Sequence, residues 1–205
     1  MIKNFIFDID GTLFNTRELT IESISHALQR IGHPSLTKDD WTYFYKFGIK
    51  ALIKHRHIPS YKIWLAVYFF QNYKRKHLHN LQLFPSIDNT LETLHQRKKI
   101  LGIISSNSQK IINQILINTQ IDLFTFVHPA GFLGKVPALK KVLKKYHLNP
   151  METVYVGDEI HDVIAAKSLD IHSAAVTWGF NSPEALASHH PDFLLNSPEE
   201  ILKIQ

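Results

Sequence analysis

Two aspartates lie close together where the first apolar stretch of the chain ends, in the segment NFIFDIDGTL that carries Asp8 and Asp10. Side chains two residues apart on a strand point the same way, and burying two like charges side by side is costly. The pair indicates either that a turn begins here, as the following Gly11 also allows, or that a cation lies between the two carboxylates.

Polar side chains recur at the ends of later apolar segments and near the start of one helical stretch: Ser105, Ser106, Asn107, Asp158, Asp162 and Lys135. If the apolar segments are parallel strands of one sheet, their carboxyl ends meet at one edge, where such sheets bind ligands. Four carboxylates, a hydroxyl and an ammonium group would then converge. Carboxylates that converge need a cation, and a set of oxygen donors suits a hard cation such as Mg²⁺.

A metal ion beside a lysine and a hydroxyl forms a binding site for a phosphoryl group, because phosphoryl transfer depends mainly on positioning and charge neutralisation. One carboxylate can attack phosphorus to give an aspartyl-phosphate, and a second can protonate the leaving oxygen and later deprotonate water. The residue types therefore predict metal-assisted hydrolysis of a phosphate ester. The sequence contains neither a phosphate loop ending in Gly-Lys-Ser/Thr nor a GxGxxG motif, so nothing in it supports ATP or NAD binding.

The elements that position these residues alternate along the second part of the chain. Apolar segments predict strands at 3–9, 99–105, 124–127, 153–158, 172–177 and 192–195. Helices are predicted between the later strands, at 87–97, 109–118, 137–146, 161–168 and 183–187. Strands that alternate with helices imply a mostly parallel sheet that is covered on both faces.

Residues between the first strand and about position 81 have helical periodicity instead. TKDDW has the pattern of a capped helix start, and 61–79 predicts a long helix with a basic end. Because the first strand must join the sheet, this helical segment is an insertion after it. We predict an α/β fold with a Rossmann-like, doubly wound parallel-sheet core of residues 1–14 and 82–205 and a small all-helical cap of residues 15–81.

The excess positive charge of the chain lies in this predicted cap. Residues 15–84 hold 11 Lys and Arg against 4 Asp and Glu, and the rest of the chain holds 12 against 14. This imbalance suggests an anionic substrate or partner. Lys46, Lys50 and Lys54 would share one face of an unbroken helix, which either is solvated or overlooks the active site. Lys50 is the candidate substrate contact in the second case.

Composition bounds the class of protein. The 205 residues are 44% hydrophobic and 20% charged, as in ordinary globular proteins. The absence of cysteine excludes disulfides, thiolate metal sites and cysteine nucleophiles. The N-terminus lacks the pattern of a signal peptide, and the longest nearly apolar run, 63–70, is too short to cross a bilayer. We expect a cytoplasmic protein that does not bind membranes.

Four segments in order resemble the signatures of the haloacid dehalogenase-like hydrolases: DIDGTL, the IIS strand end, Lys135 and GDEIHD. The resemblance is closest to the phosphoglycolate phosphatase-like branch, whose helical C1 cap follows the first signature. It implies a hydrolase of phosphoric monoesters that uses Mg²⁺. The namesake dehalogenases lack the second aspartate of the first signature, so Asp10 favours phosphoryl chemistry.

The resemblance also implies a role for each acid. Asp8 would be the nucleophile and a metal ligand. Asp10 would be the general acid and base, and its backbone carbonyl would bind the metal. Asp158 would be a further Mg²⁺ ligand. Lys135 would steady the nucleophile and the phosphate, with Asp162 either in the outer shell of the metal or paired with Lys135.

The same resemblance assigns the phosphoryl oxygens to the end of the second strand. Ser105 and the amide that follows it would hold these oxygens, and Ser106 and Asn107 would contact the substrate. Many relatives have threonine followed by asparagine at this point, whereas this chain has two serines before Asn107. Either Ser105 or Ser106 would supply the working hydroxyl.

The leading hypothesis is therefore a Mg²⁺-dependent phosphatase that acts on a small phosphorylated metabolite through an aspartyl-phosphate. A sugar-phosphate mutase similar to phosphoglucomutase is an alternative with the same chemistry. A nucleic-acid or anion-binding module with a vestigial site is an alternative from another class. The expected partner is a small anionic phosphate ester rather than nucleic acid. The sequence leaves open which ester this is, and whether the protein is a monomer or a dimer.

Overall fold

The computed structural model describes residues 1–78, 81–131 and 134–205. Within these residues, the strands β1 to β6 form one sheet and are, in order, Asn4–Phe7, Ile100–Ser105, Phe126–Pro129, Thr153–Gly157, His172–Val176 and Phe193–Leu195. The strand order is β3-β2-β1-β4-β5-β6, and every pairing is parallel. The order reverses between β1 and β4, and this switch point is where doubly wound sheets bind their ligands.

Helices cover both faces of the sheet, as predicted. The core helices, here numbered α4 to α8, are Ile87–Gln96, Gln109–Thr119, Lys135–Lys145, Ile160–Lys167 and Pro183–Ala187. Alternation along β1 sends Phe5 and Phe7 to the face covered by α4 and α5, and Ile6 to the face covered by α6 and α7. β1 is buried on both faces, and Phe5, Ile6 and Phe7 are accordingly apolar in succession.

Three helices follow β1: α1 (Arg17–Arg30), α2 (Lys38–His55) and α3 (Ser60–Lys76). They all fall inside the predicted cap, whose limits at 15 and 81 stay a prediction. A capping box between Thr37 and Asp40 begins α2, where TKDDW predicted a helix start. The expected end of the third helix, His79, lies outside the described residues. No helix in the described ranges is both long enough and apolar enough to span a bilayer.

The second cap helix is interrupted at Gly48, whose φ of +78° is outside the helical region. Lys46, Lys50 and Lys54 therefore do not form one continuous helical face, and all three are exposed. The segment before the break contacts the core, since the Asn181 amide donates to the Phe44 carbonyl over 3.0 Å. The kink thus turns the middle of α2 onto the loop that follows β5.

Candidate active site

The ends of β1 and β4 bring three predicted acids together. These strands are neighbours in the sheet, with Phe7 beside Val156, so the residues that follow them leave the sheet side by side. Asp8, Asp158 and Asp162 are buried, and each offers a carboxylate oxygen within 4.8 Å of the other two. Three buried carboxylate oxygens at this spacing fit a hard divalent cation, because Mg²⁺ prefers oxygen ligands and retains some of its waters.

Lys135, the first residue of α6, ties two of these acids together. Its Nζ lies 2.6 Å from Oδ2 of Asp8 and also pairs with Oδ1 of Asp162. Of the two placements expected for Asp162, the structure shows the pairing with Lys135. Burial alone would lower the pKa of Lys135, but Asp162 and Asp8 raise it well above the ordinary lysine value. The lysine is therefore a fixed positive charge beside Asp8.

Burial raises the pKa of Asp8 to about 6, against the opposing effect of the Lys135 ammonium. The orientation of the carboxylate is also fixed by the chain, because its Oδ1 accepts a hydrogen bond of 2.8 Å from the Ile9 amide. Asp8 is thus held by one backbone and one side-chain donor at the end of β1. A carboxylate constrained in this way is arranged for attack on a phosphorus atom.

Asp158 is held by donors on both of its oxygens. The Thr12 hydroxyl donates to Oδ1 over 2.7 Å, and the Phe180 amide donates to Oδ2 over the same distance. Gly11 packs so closely that an added Cβ would lie 2.2 Å from the Asp158 side chain. Burial and the neighbouring acids, Glu159 first, raise the pKa of Asp158 well above its ordinary value. This excess of negative charge is what a bound cation would offset.

Asp10 turns toward the cap instead, where it meets a lysine that sequence reasoning missed. Lys74 in α3 is buried, and its Nζ lies 2.5 Å from Oδ1 of Asp10. Asn107 donates to the other oxygen over 2.6 Å and accepts from Lys74 over 3.0 Å. Burial alone would raise the pKa of Asp10, but Lys74 and these hydrogen bonds lower it below its ordinary value.

The burial of Lys74 could have been predicted from its spacing to Phe70. In the sequence, Lys74 belongs with Arg75 and Lys76 to the basic end of a predicted helix, and those two neighbours are exposed in the structure. Lys74 stands four residues after Phe70 in α3, so the two share one helix face. That face points at the ends of the sheet strands.

The two candidate serines occupy different environments. Ser105 is fully buried, and its Oγ accepts hydrogen bonds from the Asn107 amide and side chain over 3.3 and 3.2 Å. Ser106 is exposed on the side of the cap, and its carbonyl accepts from Gln71 over 3.2 Å. The structure brings both to the site, and which hydroxyl holds the phosphoryl group stays a prediction. Lys50, by contrast, is exposed and does not line the cavity at Asp8.

A cavity of about 430 Å³ joins these residues to the cap. Asp8, Asp10, Asn107 and Glu159 line its core end, and side chains of α1, α2 and α3 form most of the other walls. A volume of this size is typical of sites for small molecules. The cavity therefore has a charged end beside the sheet and a second end enclosed by cap helices.

Comparison with known proteins gives one family. The family model described as haloacid dehalogenase-like hydrolase matches residues 5–176. A phosphoglycolate phosphatase from Synechococcus elongatus is 30% identical over 98% of this chain and 96% of its own length. The pyrophosphatase PpaX of Anoxybacillus flavithermus is 28% identical over 99% and 96%. A solved haloacid dehalogenase-like hydrolase from Streptococcus pneumoniae has the same fold, with a TM-score of 0.83 at 23% identity over 98% and 97% of the two chains.

Proposed function

The chain belongs to the haloacid dehalogenase-like hydrolases, among relatives named as phosphatases, and we propose that it hydrolyses a small phosphorylated metabolite through a phosphorylated Asp8. One observation carries this proposal. A buried carboxylate at the switch point of the sheet is paired with Lys135 and lies beside two further buried acids. This combination supplies a nucleophile, a fixed positive charge and a set of metal ligands in one place.

In the first step, an oxygen of the Asp8 carboxylate would attack phosphorus, and the bond from phosphorus to the ester oxygen would break. Lys135 would stabilise the charge on the transferred group, since its ammonium already lies 2.6 Å from Asp8. The Ser105 hydroxyl or that of Ser106 would donate to a phosphoryl oxygen. The alcohol leaves with a proton taken from Asp10.

In the second step, Asp10 as a carboxylate would accept a proton from water, and the water oxygen would attack the phosphorus of the aspartyl-phosphate. This attack releases phosphate and restores the Asp8 carboxylate. The ion pair with Lys74 lowers the pKa of Asp10 and so favours the form that accepts this proton. Asn107 keeps the same carboxylate oriented by donating to its Oδ2.

Phosphatases of this family generally use Mg²⁺. We propose that Asp8, Asp158 and the backbone carbonyl of Asp10 hold this ion here, with Asp162 keeping Lys135 in place. Bound there, Mg²⁺ would neutralise the charge of the phosphoryl oxygens. The ion pair of Asp162 with Lys135 supports this positioning role for Asp162 rather than direct coordination of the metal.

The test is phosphate release from a panel of esters: p-nitrophenyl phosphate, phosphoglycolate, pyrophosphate, glucose 6-phosphate and a nucleoside monophosphate. We expect turnover of at least one ester that requires Mg²⁺ and stops on chelation. Asp8→Asn should reduce it by at least about 1,000-fold, because an amide cannot replace the nucleophile. Asp122→Asn, at an exposed aspartate, is the matched control and should keep full activity. Turnover by Asp8→Asn close to that of the wild type, or full turnover without a divalent metal, would contradict the proposal.

A further inference from the structure

The cap end of the 430 Å³ cavity is almost wholly apolar. Its walls come from all three cap helices and include Ile24, Leu28, Leu52, Ile53, Ile63 and Phe70. The same cavity reaches Asp8 and Asp10 without a break. Whatever is attached to a phosphoryl group bound at Asp8 therefore extends into an apolar space.

The basic side chains of the cap that line this cavity are already paired. The guanidinium of Arg56 forms an ion pair of 2.7 Å with Asp40 and donates to the Pro34 carbonyl. Lys74 is paired with Asp10 at 2.5 Å. Among the described lining residues of the cap, no positive charge remains for a second anionic group of the substrate.

The other polar groups on the cap side offer very little. Gln71 uses its amide nitrogen on the Ser106 carbonyl and its amide oxygen on the Ser108 amide. Thr20 is buried and lines the cavity, and its hydroxyl has no hydrogen-bond partner among the described residues. The cap can thus satisfy about one polar group of a bound alcohol.

These walls discriminate between classes of phosphate ester. The carboxylate of phosphoglycolate or the second phosphoryl group of pyrophosphate would be buried without a countercharge, which is costly. On the cap side, the several hydroxyls of a sugar phosphate would lose their hydrogen bonds to water and find the Thr20 hydroxyl as the unpartnered group among the described lining residues. An apolar group, by contrast, gains about fourfold in binding for each methylene that it buries.

We infer that the substrate is a monophosphate ester of a largely apolar alcohol without a second charged group. This inference rests on the proposed function and adds the class of alcohol to it. The phosphoryl group lies at Asp8, and the alcohol lies between α1, α2 and α3. The relatives named for phosphoglycolate and pyrophosphate share the family and about 30% of the sequence, but the cap walls of this chain fit a different leaving group.

The test is a series of straight-chain alkyl phosphates, from ethyl to octyl, compared with phosphoglycolate and pyrophosphate. We expect kcat/KM to rise about two- to fourfold per methylene until the cavity is full, and hexyl phosphate to exceed phosphoglycolate by at least about tenfold. A flat or falling series, with the highest value for phosphoglycolate or pyrophosphate, would overturn the inference and leave the proposed function intact. No hydrolysis of any ester would instead contradict the proposed function.

Two variants locate the effect in the cavity. Ala66 of α3 lines it, so Ala66→Phe should remove the gain with chain length while ethyl phosphate is still hydrolysed. If Ala66→Phe does not fold, Ala66→Leu fills less of the cavity and can be used instead. It should shift the preference toward shorter alkyl phosphates. Ala187→Phe, at an exposed alanine of α8 away from the cavity, is the control and should leave the series unchanged. An unchanged series in folded Ala66→Phe or Ala66→Leu would contradict this placement of the alcohol.

Discussion

The two ends of the cavity differ in polarity: the core end is charged, and the cap end is apolar. At the core end, Lys135 pairs with Asp8 and Asp162, and Asp158 accepts hydrogen bonds on both of its oxygens. At the cap end, apolar side chains form the walls, and the basic groups are turned to internal partners. The difference suggests that the reaction depends on the core and that the choice of substrate depends on the cap. Lys74 of α3 connects the two ends through its ion pair with Asp10.

Asp8 and Asp10 also differ, in the direction in which their pKa values are shifted. They are two residues apart, yet burial raises the pKa of Asp8 to about 6. The neighbouring Lys74, against the effect of burial, lowers the pKa of Asp10. Opposite shifts in neighbouring acids are typical of sites in which each acid has a separate task. The pKa of Asp8 thus depends on its burial in the core, and the pKa of Asp10 depends on Lys74 of the cap.

Among the variants that compare the two ends of the cavity, Lys135→Met should have the largest effect, because it leaves two buried carboxylates at the core end without their cation. We expect kcat/KM to fall by more than about 100-fold for every ester, because stabilisation of the phosphoryl group is lost. Loss of one partner of a buried ion pair should also lower the free energy of unfolding by about 3–5 kcal/mol. Steady-state kinetics and urea unfolding measure the two effects. A loss restricted to long-chain esters would contradict the division between core and cap.

A pair of glycine substitutions compares a crowded position beside Asp158 in the core with an open position after α1 in the cap. Gly11 and Gly32 both have positive φ, at +72° and +80°. An added Cβ would lie 2.2 Å from Asp158 at Gly11, but 4.0 Å from its nearest neighbour, Lys62, at Gly32. We expect Gly11→Ala to lower the free energy of unfolding by about 2–5 kcal/mol and Gly32→Ala by only about 1–2 kcal/mol. Equal losses in urea unfolding would mean that the Asp158 site tolerates displacement.

Lys74→Met tests the link between the two ends. Because Lys74 lowers the pKa of Asp10, its removal should raise this pKa. A larger fraction of Asp10 is then protonated at neutral pH, so the alkaline limb of the profile of kcat/KM against pH should move to higher pH. The measurement needs an alkyl phosphate, whose poor leaving group depends on the acid. Lys76→Met, at an exposed lysine of the same helix, is the control. An unmoved alkaline limb would exclude Asp10 as the acid.

The smallest effect is expected at Lys50, the residue that the sequence suggested as a substrate contact. Its side chain is exposed and does not line the cavity. Lys50→Ala should therefore change kcat/KM by less than about twofold, as is usual for an exposed charge. Lys46→Ala is the matched control on the other side of the kink at Gly48. A large loss specific to Lys50→Ala would show that the exposed charge of the cap selects the substrate.

The sheet and its helices were predictable because the strands are short, mostly apolar segments that alternate with stretches of helical periodicity. The presence of acids at the charged end of the cavity was also predictable, because parallel strands bring the residues at their carboxyl ends to one edge of the sheet. Asp8 and Asp158 meet because β1 and β4 are neighbours in the sheet, whereas Lys135 reaches Asp8 from the first turn of α6. Their chemical roles remain predictions that the variants above test.

The cap was harder to predict because its features depend on how its helices pack. The lysines of 46–54 share one face only if the helix is unbroken, and the positive φ of Gly48 shows that it is broken. Lys74 was hidden in a basic run, and its burial depends on α3 lying across the ends of the strands. The cavity lies between helices that are distant along the chain, so no local pattern predicts its size or its apolar walls.

The central claim is that Asp8 transfers the phosphoryl group in the same way for every ester, whatever alcohol the cap accepts. Acid quenching during turnover, followed by mass spectrometry of the peptide that contains Asp8, measures this directly. Ethyl and hexyl phosphate should form the same adduct on Asp8 at different rates, and the adduct should break down at one rate with both esters. Turnover without an adduct on Asp8, or a breakdown rate that depends on the alcohol, would contradict the account.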